Sequence, residues 1–276
     1  MLFTFLTQPI INFLTAVHGF VPGLDLFFAI ILLTVLTKII LFPLNWKSIK
    51  AQKKMNDIQK KTSEIKSRIT DKNEQTVEIM KLYKQEKVNP FSSCLPLILQ
   101  LFVLIGLITA LNGYMTEKIK INGEMVPLEN ALYKDVSFIK PENVKLEKKA
   151  FGFLDLTQKA IDKNNTNKNH LASVIGVIFA VISGFLQYIQ TKMMTPKTVK
   201  SAIKTQEDQI AGAMNKQMLY MFPALTVWLG LSFPMGLTLY WIISSVLSIL
   251  QQSIILNSTK KENEISGKII DIQKTN

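Results

Sequence analysis

The chain has 276 residues, 48% of them apolar, and its formal net charge of +12 comes from 31 Lys and a single Arg set against 20 acidic residues. So basic a composition fits nucleic-acid binding, but a positive mean hydropathy of +0.22 requires charge and apolar residues to be segregated, which is the signature of a membrane protein. The charge is therefore read as topology and lipid attraction, with no nucleic acid as substrate; the single cysteine, Cys94, excludes an internal disulfide and a cysteine zinc site.

The first 37 residues contain no Lys or Arg. Within residues 1–25, Pro9 to Val21 is too short to span and lacks the basic start of a signal peptide. It is read as an amphipathic helix at the outer interface. A spanning helix needs about 20 apolar residues at about 1.5 Å each, and the first such run is 26–44, Leu26 to Leu44. Lys38 lies inside it, at a cost of about 3 kcal/mol on insertion scales. Two readings are open for it: a stem that snorkels to the inner headgroups, or a cation in a hydrated groove. Thr34, Lys38 and Asn45 fall within about 40° of one another on a helix, so the charge sits in a polar stripe.

Residues 45–89 hold 12 Lys and Arg and sparse apolar positions, Ile49, Met55, Ile58, Ile65 and Ile69, then Val77, Met80 and Tyr83. Spacings of three, four and seven predict helix, and Thr70-Asp71-Lys72-Asn73 interrupts it. The result is a helical hairpin, either a solvated connector or a docking or lipid-contacting arm. The second span, 90–112, is entered through Asn89-Pro90 and interrupted by Gln100. The segment 113–170 carries ten Lys and eight acids and is read as a solvated extracytoplasmic loop, long enough to cross despite its charge.

The third span, 171–190, repeats small residues at Ala172, Gly176, Ala180 and Gly184, a face suited to close packing, with Gln187 on it. Residues 191–216 form a basic loop. The apolar run from Met218 to Leu256 is nearly twice the length of one crossing, and Pro234-Met235-Gly236 divides it into spans at 217–233 and 234–256. Trp241, Ser245, Ser248 and Gln252 share one face of the last. Each isolated Gln or Ser is explained by an interhelical hydrogen bond; several stripes together with a cation favour a hydrated cavity, since no Asp or Glu lies inside any later span. Lys and Arg excess in 45–89, 191–216 and the tail 257–276 puts those segments in the cytoplasm, N-terminus out and C-terminus in.

The runs LTVLTKIILFPL (33–44), MKLYKQEKVNP (80–90) with CLPL (94–97), FGFLDLT (151–157) and FPMGLTLYW (233–241) with Gln251-Gln252 occur in that order. They resemble, over about residues 9–256, the YidC/Oxa/Alb membrane protein insertase family. The resemblance implies an all-α integral membrane protein with five transmembrane helices, a cytoplasmic helical hairpin and an N-terminal interfacial amphipathic helix. It further implies insertion and folding of nascent membrane proteins, alone or with the Sec translocon and ribosome, at a multi-pass inner-membrane location among membrane lipids. A cation of the first span then sits in a hydrophilic groove and draws substrate partway across; Lys38 holds that position, where the family usually has Arg. Thr34, Gln100, Gln187 and Trp241 are the further groove candidates. The alternative function is a small channel or transporter, and a third reading is an assembly scaffold. With no hydrolase triad, phosphate loop or metal cluster, the expectation is a protein that is not an enzyme and uses no cofactor or metal.

Overall fold

The computed structural model describes residues 7–21, 25–87, 95–121, 124–133, 149–161, 170–195 and 206–275. The chain is mostly helical. Nine α-helices lie among the described residues: α1 (Gln8–Phe20), α2 (Leu26–Ile40), α3 (Phe42–Asp57), α4 (Gln59–Arg68), α5 (Lys72–Gln85), α6 (Leu95–Thr116), α7 (His170–Met194), α8 (Gln206–Ser232) and α9 (Met235–Thr275). Two antiparallel hairpins accompany them, β1 (Lys118–Ile121) with β2 (Glu124–Pro127), and β3 (Lys149–Ala150) with β4 (Leu154–Asp155). Among the described residues, His170–Met194 and Met235–Ser258 are each long and apolar enough to cross a membrane, and α2 with α3 makes a third crossing if the broken pair is one span. Gln100–Tyr114 is a shorter apolar stretch. An all-α membrane protein fits these helices.

The chain forms two compact units. The first comprises Met1–Ile40, Leu97–Gln187 and Pro223–Leu247. Its core joins Ile11 and Leu14 of α1, Leu26 and Ile30 of α2, Leu107 and Leu111 of α6, Leu156, and Met235, Leu237 and Tyr240 of α9. Apolar side chains of α1 are thus buried against protein, Phe20 remaining exposed. Its Asn12 is buried too and fully engaged: Nδ2 donates to Gln8 O (2.8 Å) and Ala131 O (3.0 Å), and Oδ1 accepts from Tyr133 N (2.7 Å). Thr15 meets the Tyr114 hydroxyl at 2.9 Å, which donates to Ile11 O. The segment after α6, expected to be solvated, therefore contributes buried Ile119, Leu128, Ala131 and Leu132. Alternation along β1 explains the difference, since period two turns Ile119 inward while Lys118 and Lys120 stay in solvent.

The small-residue face of α7 is buried, as its spacing predicts. A Cβ on Gly184 would lie 2.3 Å from Val227 Cγ2 and 3.1 Å from Pro223 O of α8, and one on Gly230 would lie 3.0 Å from Ala180 Cβ. The backbones approach so closely that only hydrogen fits. The exposed side of α7 is apolar, with Val174, Ile178, Val181 and Phe185.

The second unit comprises Leu41–Pro96, Tyr188–Phe222 and Ser248–Asn276. Here α3 begins with Pro43 in its first turn; lacking an N–H, proline cannot continue the α2 ladder, so the helix breaks at Leu41. Asn45 is consequently a residue of α3, and the one helix expected to carry Thr34, Lys38 and Asn45 is two helices. The α4–α5 hairpin turns at Asp71, whose carboxylate caps α5 by accepting from Asn73 N (3.1 Å). Gln75 reaches back to Lys66 O (3.2 Å) and Ile69 O (2.5 Å), filling carbonyls left over at the end of α4. Lys61 donates to Glu86 at 2.6 Å, and that bond and charge hold the Glu86 carboxyl below the usual carboxylate range. Any stability from this exposed pair is present at neutral pH and lost as pH falls through the lowered folded value. Aromatic–cation pairs also occur in this unit, Lys50 5.4 Å above the Trp46 ring and Lys192 5.6 Å above Tyr188, which stacks on Tyr220.

Replacing Gly176 by Ala tests the tight packing of α7. The new Cβ would meet Ala160 Cβ at 2.7 Å and its Cα at 2.9 Å, so Gly176→Ala is expected to lower stability by about 1–3 kcal/mol. Unfolding by sodium dodecyl sulfate in mixed micelles should show a lower midpoint; an unchanged midpoint contradicts the packing.

Candidate functional site: a polar layer among apolar helices

The depth of each candidate residue follows from how the helices of the first unit are anchored. Segment 149–161 holds the N-terminal ends of two helices at once. The Asp25 carboxylate, just before α2, accepts from Phe151 N (2.8 Å), while Gln158 O and Leu156 O accept from Met235 N and Gly236 N of α9, each at 2.8 Å. A Cβ at Gly236 would sit 3.1 Å from Ile30 Cδ1 and 3.6 Å from Leu111 Cδ1. So the starts of α2 and α9 meet at one level, and Leu111 brings the later part of α6 to the same place.

The helical rise then sets the heights. Lys38 lies eight residues past Ile30 and Ser244 eight past Gly236, each about 12 Å beyond the anchor. Gln100, on antiparallel α6, precedes Leu111 by 11 residues, about 16 Å. Its side chain closes the comparison directly, since Nε2 bonds Tyr240 Oη (2.5 Å) and Ser244 Oγ (3.4 Å). Ala180 of α7 faces Gly230, whose carbonyl accepts from Thr238 Oγ1 at 3.2 Å. Gln187 and Ser245 lie seven residues past Ala180 and Thr238 respectively, so they too share a level. Counted by helical rise alone, Lys38, Gln100, Gln187, Ser244 and Ser245 fall at similar heights, as a polar layer, with Thr34, Tyr240 and Trp241 about one turn nearer the anchored end.

The side chains in this layer differ in access. Lys38 is only 9% exposed and Thr34 is fully buried, its hydroxyl donating to Ile30 O at 2.6 Å. Gln187 is half-buried, and Trp241 is half-buried against the core. Gln100 is joined to α9 by hydrogen bonds, and Lys38 and Thr34 share one face of α2 four residues apart. Sequence reasoning missed Tyr240 and Ser244, the partners of Gln100. The signal was their spacing of four residues, which puts two hydroxyls on one face of an apolar helix.

Chemically the layer is rich in donors and biased in sign. It combines a buried Lys, two carboxamides and serine hydroxyls, with the Tyr240 phenol one turn away, and neither α2, α6, α7 nor Met235–Ser258 contains an Asp or Glu. Such a layer suits carboxylates and peptide carbonyls and disfavours cations. Among the described residues no group of three His, Cys, Asp or Glu side chains is placed to hold a metal.

The Gln100–Tyr240 bond should be measurable by a double-mutant cycle. Gln100→Ala, Tyr240→Phe and the double variant are expected to show a coupling of about 0.5–2 kcal/mol in micellar unfolding. Strict additivity would mean that the two side chains do not pair.

A family model described as 60Kd inner membrane protein matches residues 17–263. The chain is similar to a protein named membrane protein insertase YidC from Streptomyces avermitilis, with 31% identity over 93% of this chain and 59% of that protein. It is likewise similar to proteins of the same name from Aeromonas hydrophila, 30% identical over 94% of this chain and 37% of the relative, and Campylobacter jejuni, 26% identical over 95% and 39%. The chain thus spans between about a third and three fifths of the length of these relatives. With the matched model covering nearly all its helices, the chain belongs to the 60Kd inner membrane protein family, whose members include the YidC insertases.

Proposed function

We propose that the protein is a membrane protein insertase of the cell inner membrane, working without a cofactor on nascent membrane proteins. The observations that carry this reading are the buried Lys38 of α2 and the Gln100–Tyr240–Ser244 hydrogen-bonded cluster of α6 and α9, both within the first unit. An ammonium and hydrogen-bond donors inside apolar helices lower the cost of bringing an acidic or polar stretch into the membrane. The chain performs no bond chemistry; it supplies a solvent-like surface where the bilayer has none.

In this reading five spans cross the membrane at 26–44, 90–112, 171–190, 217–233 and 234–256, N-terminus out and C-terminus in. Lys38, Thr34, Gln100, Gln187 and Trp241 line a hydrophilic groove open to the cytoplasm and lipid. Hairpin 45–89, which contains α4 and α5, receives the substrate, and the Sec translocon and ribosome are its partners. Lys in place of the family's usual Arg keeps the charge and loses the planar fork, so it attracts a carboxylate as a point charge.

Proteoliposomes with a short single-span substrate bearing an acidic tail test the mechanism. Lys38→Ala is expected to lower insertion several-fold, and Lys38→Arg to retain it. Equal insertion by Lys38→Ala and the native protein would refute the electrostatic role of Lys38, whereas solute flux without insertion would favour a channel or transporter.

A further inference from the structure

Four phenylalanines meet beside the start of α2. The Phe27 ring lies 5.2 Å from Phe28 and 4.9 Å from Phe151, and Phe151 lies 6.4 Å from Phe28 and 6.5 Å from Phe153. Three of them are turned outward, with Phe28 45%, Phe151 58% and Phe153 53% exposed. The backbone that carries Phe151 is an unusual one for it. The β3–β4 turn places Phe151 at φ 54° and Gly152 at φ 76°, and a left-handed residue in such a turn is ordinarily Gly, Asn or Asp. In water an exposed ring on a strained residue gains nothing from either feature.

We propose that the β3–β4 turn is a membrane foot: Phe151 and Phe153, with Phe28, insert into the interfacial zone of the outer leaflet, and Asp25 is the positioning residue that aims them. Continuity of surface identifies the occupant as lipid. Phe28, Leu32 and Leu36 recur every fourth residue on the exposed side of α2 and run on to Ile39 and Ile40, while Ala29, Ile30, Leu33 and Thr34 face inward. The patch therefore extends the apolar outer stripe of a helix in a membrane-protein family onto a non-helical turn. Exposed Lys149 at its base suits the phosphate level, as aromatic and apolar groups sink below it. The Asp25 carboxylate takes the Phe151 N–H at 2.8 Å; that charge-assisted bond stabilises the left-handed residue and ties the foot to the first turn of α2. The foot would thereby set how deep α2, and Lys38 on it, sits in the bilayer.

Because Cys94 is the single cysteine, Cys94→Ser supplies a background for single labels. Phe153→Cys, Phe28→Cys and, on the solvent side of β1, Lys120→Cys would each carry a nitrobenzoxadiazole fluorophore in phosphatidylcholine/phosphatidylglycerol vesicles. At 153 and 28, lipids with a shallow nitroxide are expected to quench strongly and aqueous iodide several-fold less than at 120. Iodide reaching 153 as readily as 120 overturns the proposal. Protection of 153 from both quenchers also overturns it, by showing that a protein partner or a second copy covers the turn. Adding Asp25→Ala should open position 153 to iodide while leaving 28 lipid-quenched; no change at 153 would remove the positioning role of Asp25. None of these readouts depends on insertase activity.

Discussion

The turn between α8 and α9 is the constraint on which the first unit depends. Pro234 has no N–H, so Gly230 O loses its helical donor; Thr238 Oγ1 takes its place at 3.2 Å. Leu231 O accepts from Ile161 N (3.3 Å), Met235 N and Gly236 N donate to Gln158 O and Leu156 O, and Ser232 Oγ caps Trp228 O at 2.8 Å. A sharp re-entry among apolar side chains is tolerable only when its backbone groups are satisfied by protein. The segment 156–161 satisfies them, and Leu156 simultaneously fills the core between α2, α6 and α9. This is the structural content of the motif FGFLDLT: its tip faces outward, and its end closes the ladder of a turn more than 70 residues further along the chain.

From that anchor the position of the polar layer follows almost mechanically. Helices that meet at one level share the same rise per residue, so residues equally far from that meeting point along the chain come to similar heights. Lys38, Gln187, Ser244 and Ser245 fall at similar heights by this count, and Gln100 is joined to Tyr240 and Ser244 by side-chain hydrogen bonds. A layer built on rise and packing is rigid along the helix axes. Glycine approaches such as Gly184 to Val227 keep α7 in register with α8, so a bulkier residue there would shift the height of Gln187.

The two ends of α2 serve different physical needs. At its start, Asp25 and the Phe27–Phe28–Phe151–Phe153 cluster connect it to a turn; at its finish, Pro43 ends the helix just beyond Lys38. A cation 9% exposed is thereby held within one turn of a helix terminus, where the last carbonyls lack intrahelical donors and the helix dipole is negative.

Much of this was legible in the sequence. Apolar length separates the helices from the charged connectors because hydrocarbon tolerates nothing else for about 20 residues. The period of four predicts the buried face of α7, and Pro234 predicts the division between α8 and α9, since these depend on local geometry alone; the break at Leu41, inside the expected first span, was not anticipated. Lys38 is conspicuous because its cost is set by solvent and not by neighbours. Other features needed the tertiary structure. Asn45 belongs to α3 and not to the helix of Lys38 because the helix breaks at Leu41. Ile119 and Leu128 are buried because the β1–β2 hairpin and the turn after it fold back to Gly113 of α6, and two of the three partners of Asn12, a carbonyl and an amide, lie over 100 residues distant. The pairing of Gln100 with Tyr240 and Ser244 joins residues 140 and 144 apart. Periodicity states which way a side chain points, but what it meets depends on which helices share an anchor, and hydrogen bonds of a distant backbone decide that.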